Sequence, residues 1–170
     1  MIILGIGSNL SSKYGDRFKN LELVVKYLEK HGLKVIKKSS YYETPSYPNI
    51  NNPKFINAVI GIENQKNPEK LASIIIKIEG DLGRKRLVKN EPRTCDIDII
   101  DYEGKIIDFK YLNFNFSVPH KEIKKRNFVL FPLKEIFPEW KHPITKEPIE
   151  TLVENLSLEE KNSILKIKKN

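Results

Sequence analysis

The chain has 170 residues, with 30 Lys and Arg against 22 Asp and Glu, which gives a formal net charge of +8. This length suffices for one well-buried core and is short for two, so we expect a single domain spanning 1–170. The charge favours an anionic partner such as a nucleotide, a nucleic acid or an acidic membrane, or it reflects abundant lysine on solvated helix faces.

Cysteine and hydropathy patterns indicate the compartment. A single cysteine excludes an intramolecular disulfide and fits a reducing environment, so we expect a cytoplasmic protein. Residues 1–10 are apolar only briefly and are interrupted by Gly5 and Gly7, which is typical of a first strand rather than a signal peptide. No apolar run reaches membrane-spanning length, and we expect no membrane association.

The periodicity of apolar residues predicts the elements in chain order. Strands are predicted at 2–6, 33–42, 55–63, 95–102 and 105–108. Amphipathic helices are predicted from Asp16 to Gly32 and from Asn67 to Gly83, with a proline-rich loop at 44–54. A weak terminal helix at 151–165 and a frayed basic end at 166–170 complete the chain.

The order strand, helix, strand, strand, helix, strand predicts an α+β fold. We expect a ferredoxin-like βαββαβ sandwich, an antiparallel sheet with helices packed on it, plus a C-terminal extension. Both helices are expected on one face, leaving the other face open for a ligand.

Two aspartates on the predicted strand 95–102 are the strongest chemical signal. Asp96 and Asp98 are two residues apart, so their carboxylates project from the same side of the strand. Paired carboxylates form a hard oxygen site suited to Mg²⁺. Cys95 alternates with them and is expected to be a buried structural thiol on the opposite side.

A cationic segment precedes this strand. The basic loop, residues 84–93, carries Arg84, Lys85, Arg86, Lys89 and Arg93. Guanidinium groups neutralise charge on a transferring phosphoryl group, while carboxylates hold the cations that bridge phosphate oxygens. The combination predicts phosphoryl or pyrophosphoryl transfer from a nucleotide. Because the loop is charged and lacks apolar anchors, we expect a mobile lid that orders on nucleotide binding.

Several other polar residues have two readings. Asn57 shares a strand face with Phe55, and a polar group in an apolar run must bond either to the neighbouring loop or to a ligand. Glu79 lies off the apolar stripe of its helix, where an exposed, solvated glutamate is the usual outcome. His120 follows a proline and is either a loop residue or a phosphate contact.

Two other function classes fit part of the pattern. A ferredoxin-like sheet with a basic rim also occurs in RNA-binding modules, although carboxylates on the central strand would repel phosphate unless a metal intervenes. A two-metal nuclease or nucleotidyltransferase would use the aspartates but would leave Phe55, Asn57 and Phe128 unexplained. The chain has no Gly-x4-Gly-Lys-Ser/Thr segment, which excludes a P-loop kinase.

Short motifs in a fixed order resemble one family, the 6-hydroxymethyl-7,8-dihydropterin pyrophosphokinases of folate biosynthesis. They run from about residue 2 to residue 140 and comprise Gly7-Ser8-Asn9-Leu10, Tyr42-Glu43-Thr44-Pro45, Phe55-Ile56-Asn57-Ala58, Gly83-Arg84, Pro92-Arg93-Thr94-Cys95-Asp96-Ile97-Asp98-Ile99, Val118-Pro119-His120 and Arg126-x-Phe128. Each motif is modest by itself, whereas the ordered set is specific.

The resemblance implies a reaction and a set of roles. The family transfers pyrophosphate from ATP to the pterin hydroxymethyl group and releases AMP. By this resemblance the catalytic residues are Arg84, Arg93, Asp96 and Asp98, the two aspartates holding two Mg²⁺. ATP-binding positions are Glu79, Arg84, Arg86, Arg93, Ile99, Ser117, His120 and Arg126. Pterin-binding positions are Thr44, Pro45, Phe55, Asn57, Asp96 and Phe128.

The resemblance also implies partners and exposes departures. ATP and a reduced pterin are the expected ligands, no nucleic acid is expected, and other folate-pathway enzymes are candidate partners. The family usually carries a tryptophan in the basic loop, but no aromatic residue lies between Arg84 and Arg93 here. Glu91 stands where Gly or Ala is usual, and Lys121 follows His120 where an aromatic residue can occur. Trp140 lies further on and is expected to be structural.

Overall fold

One antiparallel sheet organises the chain in the computed structural model, which describes residues 1–63 and 66–167. Within those residues its strands are β1 (Ile2–Ser8), β2 (Lys34–Lys38), β3 (Tyr41–Thr44), β4 (Phe55–Glu63), β5 (Asp96–Tyr102) and β8 (Leu165–Ile167). The order across the sheet is β5-β1-β4-β3-β8, and β2 also pairs with β4. The predicted antiparallel, ferredoxin-like α+β architecture is confirmed.

Two amphipathic helices cover what we call the helix face of the sheet. They are α1 (Arg17–Lys30) and α2 (Pro68–Asp81). The side chains of Asp16 and Asn67 cap them by accepting bonds from backbone N–H groups three residues on, as the sequence predicted. Alternate residues of β1, β4 and β5 pack against the apolar stripes of both helices in one buried cluster.

The opposite face of the sheet, called here the far face, is covered by helices in one half and uncovered in the other. Three more α-helices lie between β5 and β8 in the described chain, α3 (Asn127–Ile136), α4 (Ile149–Glu154) and α5 (Leu158–Asn162). Ile3, Val59 and Ile100 form a second buried cluster with apolar residues of α3 and α4. Phe137 packs so closely that a Cβ added at Gly61 would lie 2.6 Å from its ring. The prediction of an entirely open second face is therefore wrong.

A register shift in β5 supports this packing. Ile3 pairs with Asp101 and Leu4 with Ile99, so Ile100 is an extra residue in the ladder. Its side chain lies in the cluster under α3, and the Asp101 Oδ2 accepts a 2.7 Å bond from the buried indole Nε1 of Trp140. Trp140 thus has the structural position that was expected.

The predicted strand 33–42 is two strands. Ser39 and Ser40 separate β2 from β3, and the Ser39 hydroxyl accepts a 2.9 Å bond from the backbone N–H of Val59. The interruption lets the chain pair with β4 in two offset registers, Lys38 opposite Ile60 and Tyr42 opposite Asn57. Local β propensity predicted the conformation correctly and missed the break.

Two further predictions after β5 are right only in part. The strand predicted at 105–108 begins at Ile107, and it pairs in a separate hairpin, in which β6 (Ile107–Tyr111) lies beside β7 (Phe114–Val118). The segment 151–165 is divided between α4 and α5, and Lys166 pairs with Tyr42 in β8. The prediction of a frayed end is therefore wrong for Lys166 and Ile167, and its residues 168–170 lie outside the described part of the chain.

Candidate active site

The uncovered half of the far face holds the two aspartates. Asp96 and Asp98 lie opposite Gly7 and Gly5 of β1, and Asn57 lies opposite Gly7 on the other side. A Cβ at Gly7 would come within 3.0 Å of the Asn57 Oδ1, so glycine keeps the floor of this trough low. We call this region the charged half; it encloses a cavity of about 20 Å³ lined by Gly5, Ile6, Gly7, Asn57, Ala58, Asp96, Asp98, Phe128 and Val129.

Two arginines of the basic loop and Arg126 pair with these acids. The Asp96 Oδ1 accepts a 2.6 Å bond from Arg84 Nη1, and its Oδ2 lies 3.0 Å from the Nε of Arg93. The Asp98 Oδ2 accepts a 3.0 Å bond from Arg126 Nη1. The aspartate side chains remain 25% and 40% exposed, so solvent and ligands reach both. The site therefore combines carboxylates and guanidinium groups at one surface.

The two carboxylates differ electrostatically. Burial opposes ionisation of Asp96, but Arg84 and Arg93 outweigh it and hold the pKa below its usual value. Burial, followed by repulsion from Asp96, raises the pKa of Asp98 although Arg126 opposes the shift. Asp96 is thus the better-neutralised partner, and Asp98 gains more from an additional cation.

Glu79 is buried rather than solvated. Its carboxylate is only 2% exposed and accepts a 2.6 Å bond from Arg84 and a 2.9 Å bond from the N–H of Ile97. Arg86 also pairs with it. Burial raises the pKa of Glu79, and the nearby Arg84 only partly offsets that effect. The expectation of an exposed glutamate is wrong because the end of α2 lies against β5, and Glu79 anchors the start of the basic loop.

Two guanidinium groups at the site lie over aromatic rings. The Arg93 Cζ lies 5.1 Å from the centroid of the Phe55 ring, and the Arg126 Cζ lies 5.5 Å from that of Phe128. Such stacking orients a guanidinium group without neutralising it. The rings assigned by resemblance to the pterin are therefore in contact with arginines that also hold the aspartates.

The His120 ring lies between two N–H donors. Its Nδ1 is 3.0 Å from the backbone nitrogen of Glu122, and its Nε2 is 3.1 Å from the Arg126 Nη2. A neutral imidazole has one acceptor nitrogen, so it can accept from only one of these donors. Burial, followed by the charge of Arg126, lowers the pKa of His120. An anionic oxygen between His120 and Arg126 would accept from Arg126 and, in the Nε2-protonated tautomer, from His120.

The remaining predicted site residues lie in different parts of the fold. Thr44 accepts a 2.9 Å bond from the Asn57 amide, and Pro45 is exposed at the end of β3. The Ser117 hydroxyl donates to Asp108 within the hairpin at 2.6 Å. The Ile99 side chain is buried in the helix-face cluster, away from the aspartates, so any contact it makes in the site comes from its backbone.

Sequence reasoning missed a role for Asn9. This residue is buried, and its amide donates to the Ser46 hydroxyl at 3.1 Å and to the Pro53 carbonyl at 3.0 Å. Its Oδ1 accepts a 2.7 Å bond from the N–H of Arg93. Asn9 therefore ties the loop before β4 to the end of the basic loop. The available signal was a polar residue just after a buried strand, in the Gly7-Ser8-Asn9-Leu10 segment.

Two features are absent from residues 1–63 and 66–167. None of the helices there is long and apolar enough to cross a membrane. The same residues contain no group of three or more His, Cys, Asp or Glu side chains placed to hold a metal ion. Any metal at Asp96 and Asp98 would complete its coordination with ligand oxygens and water.

Comparisons with known proteins agree on one family. Residues 3–138 match the model described as 7,8-dihydro-6-hydroxymethylpterin-pyrophosphokinase (HPPK). The 2-amino-4-hydroxy-6-hydroxymethyldihydropteridine pyrophosphokinase of Aquifex aeolicus is 34% identical over 166 residues, 98% of both chains. The protein of that name from Bacillus subtilis is 37% identical over 134 residues, 78% of this chain and 75% of its own.

Solved structures give the same fold in larger proteins. A Plasmodium falciparum HPPK-DHPS structure with pteroate superimposes with a TM-score of 0.72 at 16% identity, covering 99% of this chain and 46% of that chain. At this identity the likeness establishes the fold alone. The chain thus spans less than half of that longer protein.

Proposed function

This chain belongs to the 7,8-dihydro-6-hydroxymethylpterin-pyrophosphokinase family, and from that premise we propose how its residues transfer pyrophosphate from ATP to 6-hydroxymethyl-7,8-dihydropterin in folate biosynthesis. The observation that carries the assignment of residues is the pair Asp96 and Asp98, adjacent on one face of β5 and bound by Arg84, Arg93 and Arg126. We place the reaction at this pair, in one domain spanning 1–170 of a cytoplasmic protein.

The triphosphate competes with the aspartates for the arginines. Arg84, Arg93 and Arg126 each pair with an aspartate through one nitrogen, and phosphate oxygens can accept bidentate bonds from a guanidinium group with more negative charge. A phosphate oxygen that enters between His120 and Arg126 accepts from Arg126 and, when the Nε2 of His120 is protonated, from His120 as well. Nucleotide binding therefore turns the guanidinium groups from the protein's acids toward the ligand.

The residues at this position fit magnesium. Asp96 and Asp98 are hard oxygen donors on one face, both partly exposed, and Mg²⁺ commonly binds through one or two carboxylates plus phosphates and water. We propose that they hold two Mg²⁺ once the arginines have shifted. The ions would supply neutralisation of charge on the phosphate oxygens during transfer.

We place the pterin between Phe55 and Phe128, with its polar edge at Asn57 and with Thr44 and Pro45 bounding the pocket. Thr44 fixes the Asn57 amide through a 2.9 Å bond, which leaves the Oδ1 directed over Gly7 toward the trough. A cavity of about 20 Å³ holds roughly one water, far less than a bicyclic base. The arginines that contact both rings must therefore move before the pterin enters.

This requirement couples the two ligands. Because the triphosphate attracts Arg93 and Arg126, a bound nucleotide frees the rings that the pterin needs. We expect a pterin analogue to bind more tightly in the presence of a non-hydrolysable ATP analogue and Mg²⁺ than in their absence. Isothermal titration with and without the ATP analogue measures this, and equal affinities would contradict the coupling.

The chemistry requires alignment more than strong acid–base catalysis. The hydroxymethyl oxygen attacks the β-phosphorus and its proton passes to Asp96 or to solvent, a new O–P bond forms, and the bond from the β-phosphorus to the oxygen of the α-phosphate breaks to release AMP. Arg84, Arg86 and Arg93 neutralise the transferring group from the side of the basic loop. Glu79 contributes by holding Arg84 and Arg86 in place just after the end of α2.

The direct test is incubation with ATP, Mg²⁺ and 6-hydroxymethyl-7,8-dihydropterin, scoring adenine nucleotides by chromatography. We expect AMP in amounts equal to the pterin diphosphate formed. AMP release without pterin, or ADP as the product, would contradict the proposed reaction. Other folate-pathway enzymes are candidate partners, and a Schizosaccharomyces pombe relative named folic acid synthesis protein fol1 is 32% identical over 154 residues, 20% of its own length.

A further inference from the structure

The hairpin of β6 and β7 projects aromatic side chains toward the basic loop. Its cross-strand pairs are Ile107 with Val118, Phe109 with Phe116, and Tyr111 with Phe114. Val118 lies in the helix-face core, and Ile107 and Phe116 pack against that core. Because paired residues share one face of a two-stranded ribbon, Phe114 lies on the anchored face at the distal end.

An aromatic pair supports the middle of this hairpin. The Phe109 and Phe116 rings stack with centroids 4.9 Å apart and planes 7° from parallel. Phe114 follows a two-residue turn in which Leu112 has a φ of 53°. The ring of Phe114 is therefore presented at a fixed distance from the core, whereas the basic loop is joined to the fold chiefly at its two ends, by Glu79 and Asn9.

Arg86 joins the hairpin to the basic loop. Its Cζ lies 4.6 Å from the centroid of the Phe114 ring, and its other partner is the buried carboxylate of Glu79. Phe114 also closes a cavity of about 330 Å³ whose other lining comes from the basic loop: Arg84, Lys85, Arg86, Leu87, Val88, Lys89, Asn90, Glu91 and Arg93. The sequence of that loop contains no aromatic residue, so the aromatic wall of this cavity comes from the hairpin.

We propose that Phe114 is a positioning residue for the nucleotide, which holds the Arg86 guanidinium at the mouth of this cavity; the proposal rests on the proposed function. A ring on the guanidinium face leaves its N–H edge available to phosphate oxygens. Glu79, in contrast, competes with phosphate for the same edge. When the triphosphate arrives, Arg86 exchanges Glu79 for phosphate and keeps its contact with Phe114.

The test compares three hairpin variants. Phe114→Leu removes the ring and is expected to weaken binding of a non-hydrolysable ATP analogue about fivefold, the value of one partly exposed cation–π contact. Phe114→Tyr keeps a ring and retains wild-type affinity. Phe109→Leu is the matched control, since it loosens the same hairpin without removing the ring from Arg86, and its loss of affinity is expected to be well below that of Phe114→Leu. Calorimetry gives the affinities, and steady-state kinetics shows the change in the KM for ATP rather than for pterin.

A double-mutant cycle separates positioning from general loosening of the hairpin. In an Arg86→Gln background, Phe114→Leu is expected to cause no further loss of ATP-analogue affinity. Losses that multiply in the double variant, an equal loss in Phe109→Leu, or wild-type affinity in Phe114→Leu would each overturn the proposal. Pterin-dependent AMP formation by the wild type tests the proposed function separately, because the binding cycle does not depend on turnover.

Discussion

The two halves of the far face use the same three strands for opposite purposes. In the covered half, Ile3, Val59 and Ile100 lie under α3 and α4 and are almost completely buried. In the charged half, two to four residues away on the same strands, Asp96 and Asp98 remain partly exposed beside Asn57. The backbone hydrogen-bonding pattern is antiparallel in both halves, so the difference lies in the side chains.

The difference between the two halves explains why the candidate site lies in the charged half. Covering apolar strand residues stabilises the fold by roughly 25 cal/mol for each Å² of apolar surface buried. Covering two carboxylates with an apolar helix would instead cost free energy unless every charge were paired. The charged half is therefore left for ligands, and its acids are paired with side chains that can move.

The largest expected effect is a loss of turnover, and it distinguishes Asp96 in the charged half from Asp101 in the covered half. We expect Asp96→Asn to lower turnover by at least about 10³-fold, the upper end of what loss of one electrostatic group costs, while the free energy of unfolding changes little. Asp101→Asn is the matched control, because Asp101 lies on the same strand but binds Trp140 in the covered half. It should lower stability and leave turnover per folded molecule unchanged. Equal turnover in Asp96→Asn and Asp101→Asn would contradict the placement of the reaction at Asp96.

Deleting apolar volume in the covered half should have the converse result. Ile100 is fully buried, and Ile100→Ala is expected to lower the free energy of unfolding by about 2–4 kcal/mol through lost burial and a residual cavity. Urea denaturation measures this change. Turnover under native conditions should stay near the wild-type value, and a large loss of activity without a loss of stability would show that the two halves are not separable.

A single methyl group probes the floor of the charged half. Gly7→Ala would place a Cβ 3.0 Å from the Asn57 Oδ1, so the amide must shift and pterin affinity is expected to fall about tenfold, or 1.4 kcal/mol. Gly80→Ala in α2 is the control, because a Cβ there meets nothing within 4 Å. Titration with a pterin analogue distinguishes them, and equal affinities in the two variants would argue against Asn57 as a pterin contact.

The smallest effect concerns the pH dependence of the covered half. His142 is buried near Trp140, and its Nδ1 accepts 3.2 Å bonds from the N–H groups of Ile144 and Thr145. Burial, followed by the charge of Lys124, lowers its pKa, while Glu147 and Asp101 oppose the shift. The unfolded chain therefore takes up a proton below about pH 6.5 that the folded chain does not, so stability falls as pH falls.

Replacing His142 isolates this contribution. In His142→Asn the amide oxygen can still accept from the backbone, but the proton uptake is lost, so the fall in stability below about pH 6.5 should be shallower than in the wild type. Urea titrations at several pH values measure the slope. An unchanged slope would show that His142 is protonated equally in both states.

Much of the charged half could be predicted because its pattern is local. The alternation of side chains along a strand places Asp96 and Asp98 on one face whatever the strand pairs with, and Cys95 on the other, where it is buried. The caps at Asp16 and Asn67 are equally local, since each bonds to a backbone group three residues away. The ordered motifs predicted the family, and the comparisons confirmed it.

Only the tertiary structure decided which polar groups were buried and which rings met which cations. Asn9 bonds to residues 37, 44 and 84 positions away, and Glu79 is buried because β5 packs beside it. The extra residue at Ile100, the separate hairpin and the contact of Phe114 with Arg86 likewise join segments distant along the chain. The sequence by itself determined how side chains alternate along each element, because that follows from backbone geometry. It left open what covers each face, because burial depends on contacts between elements.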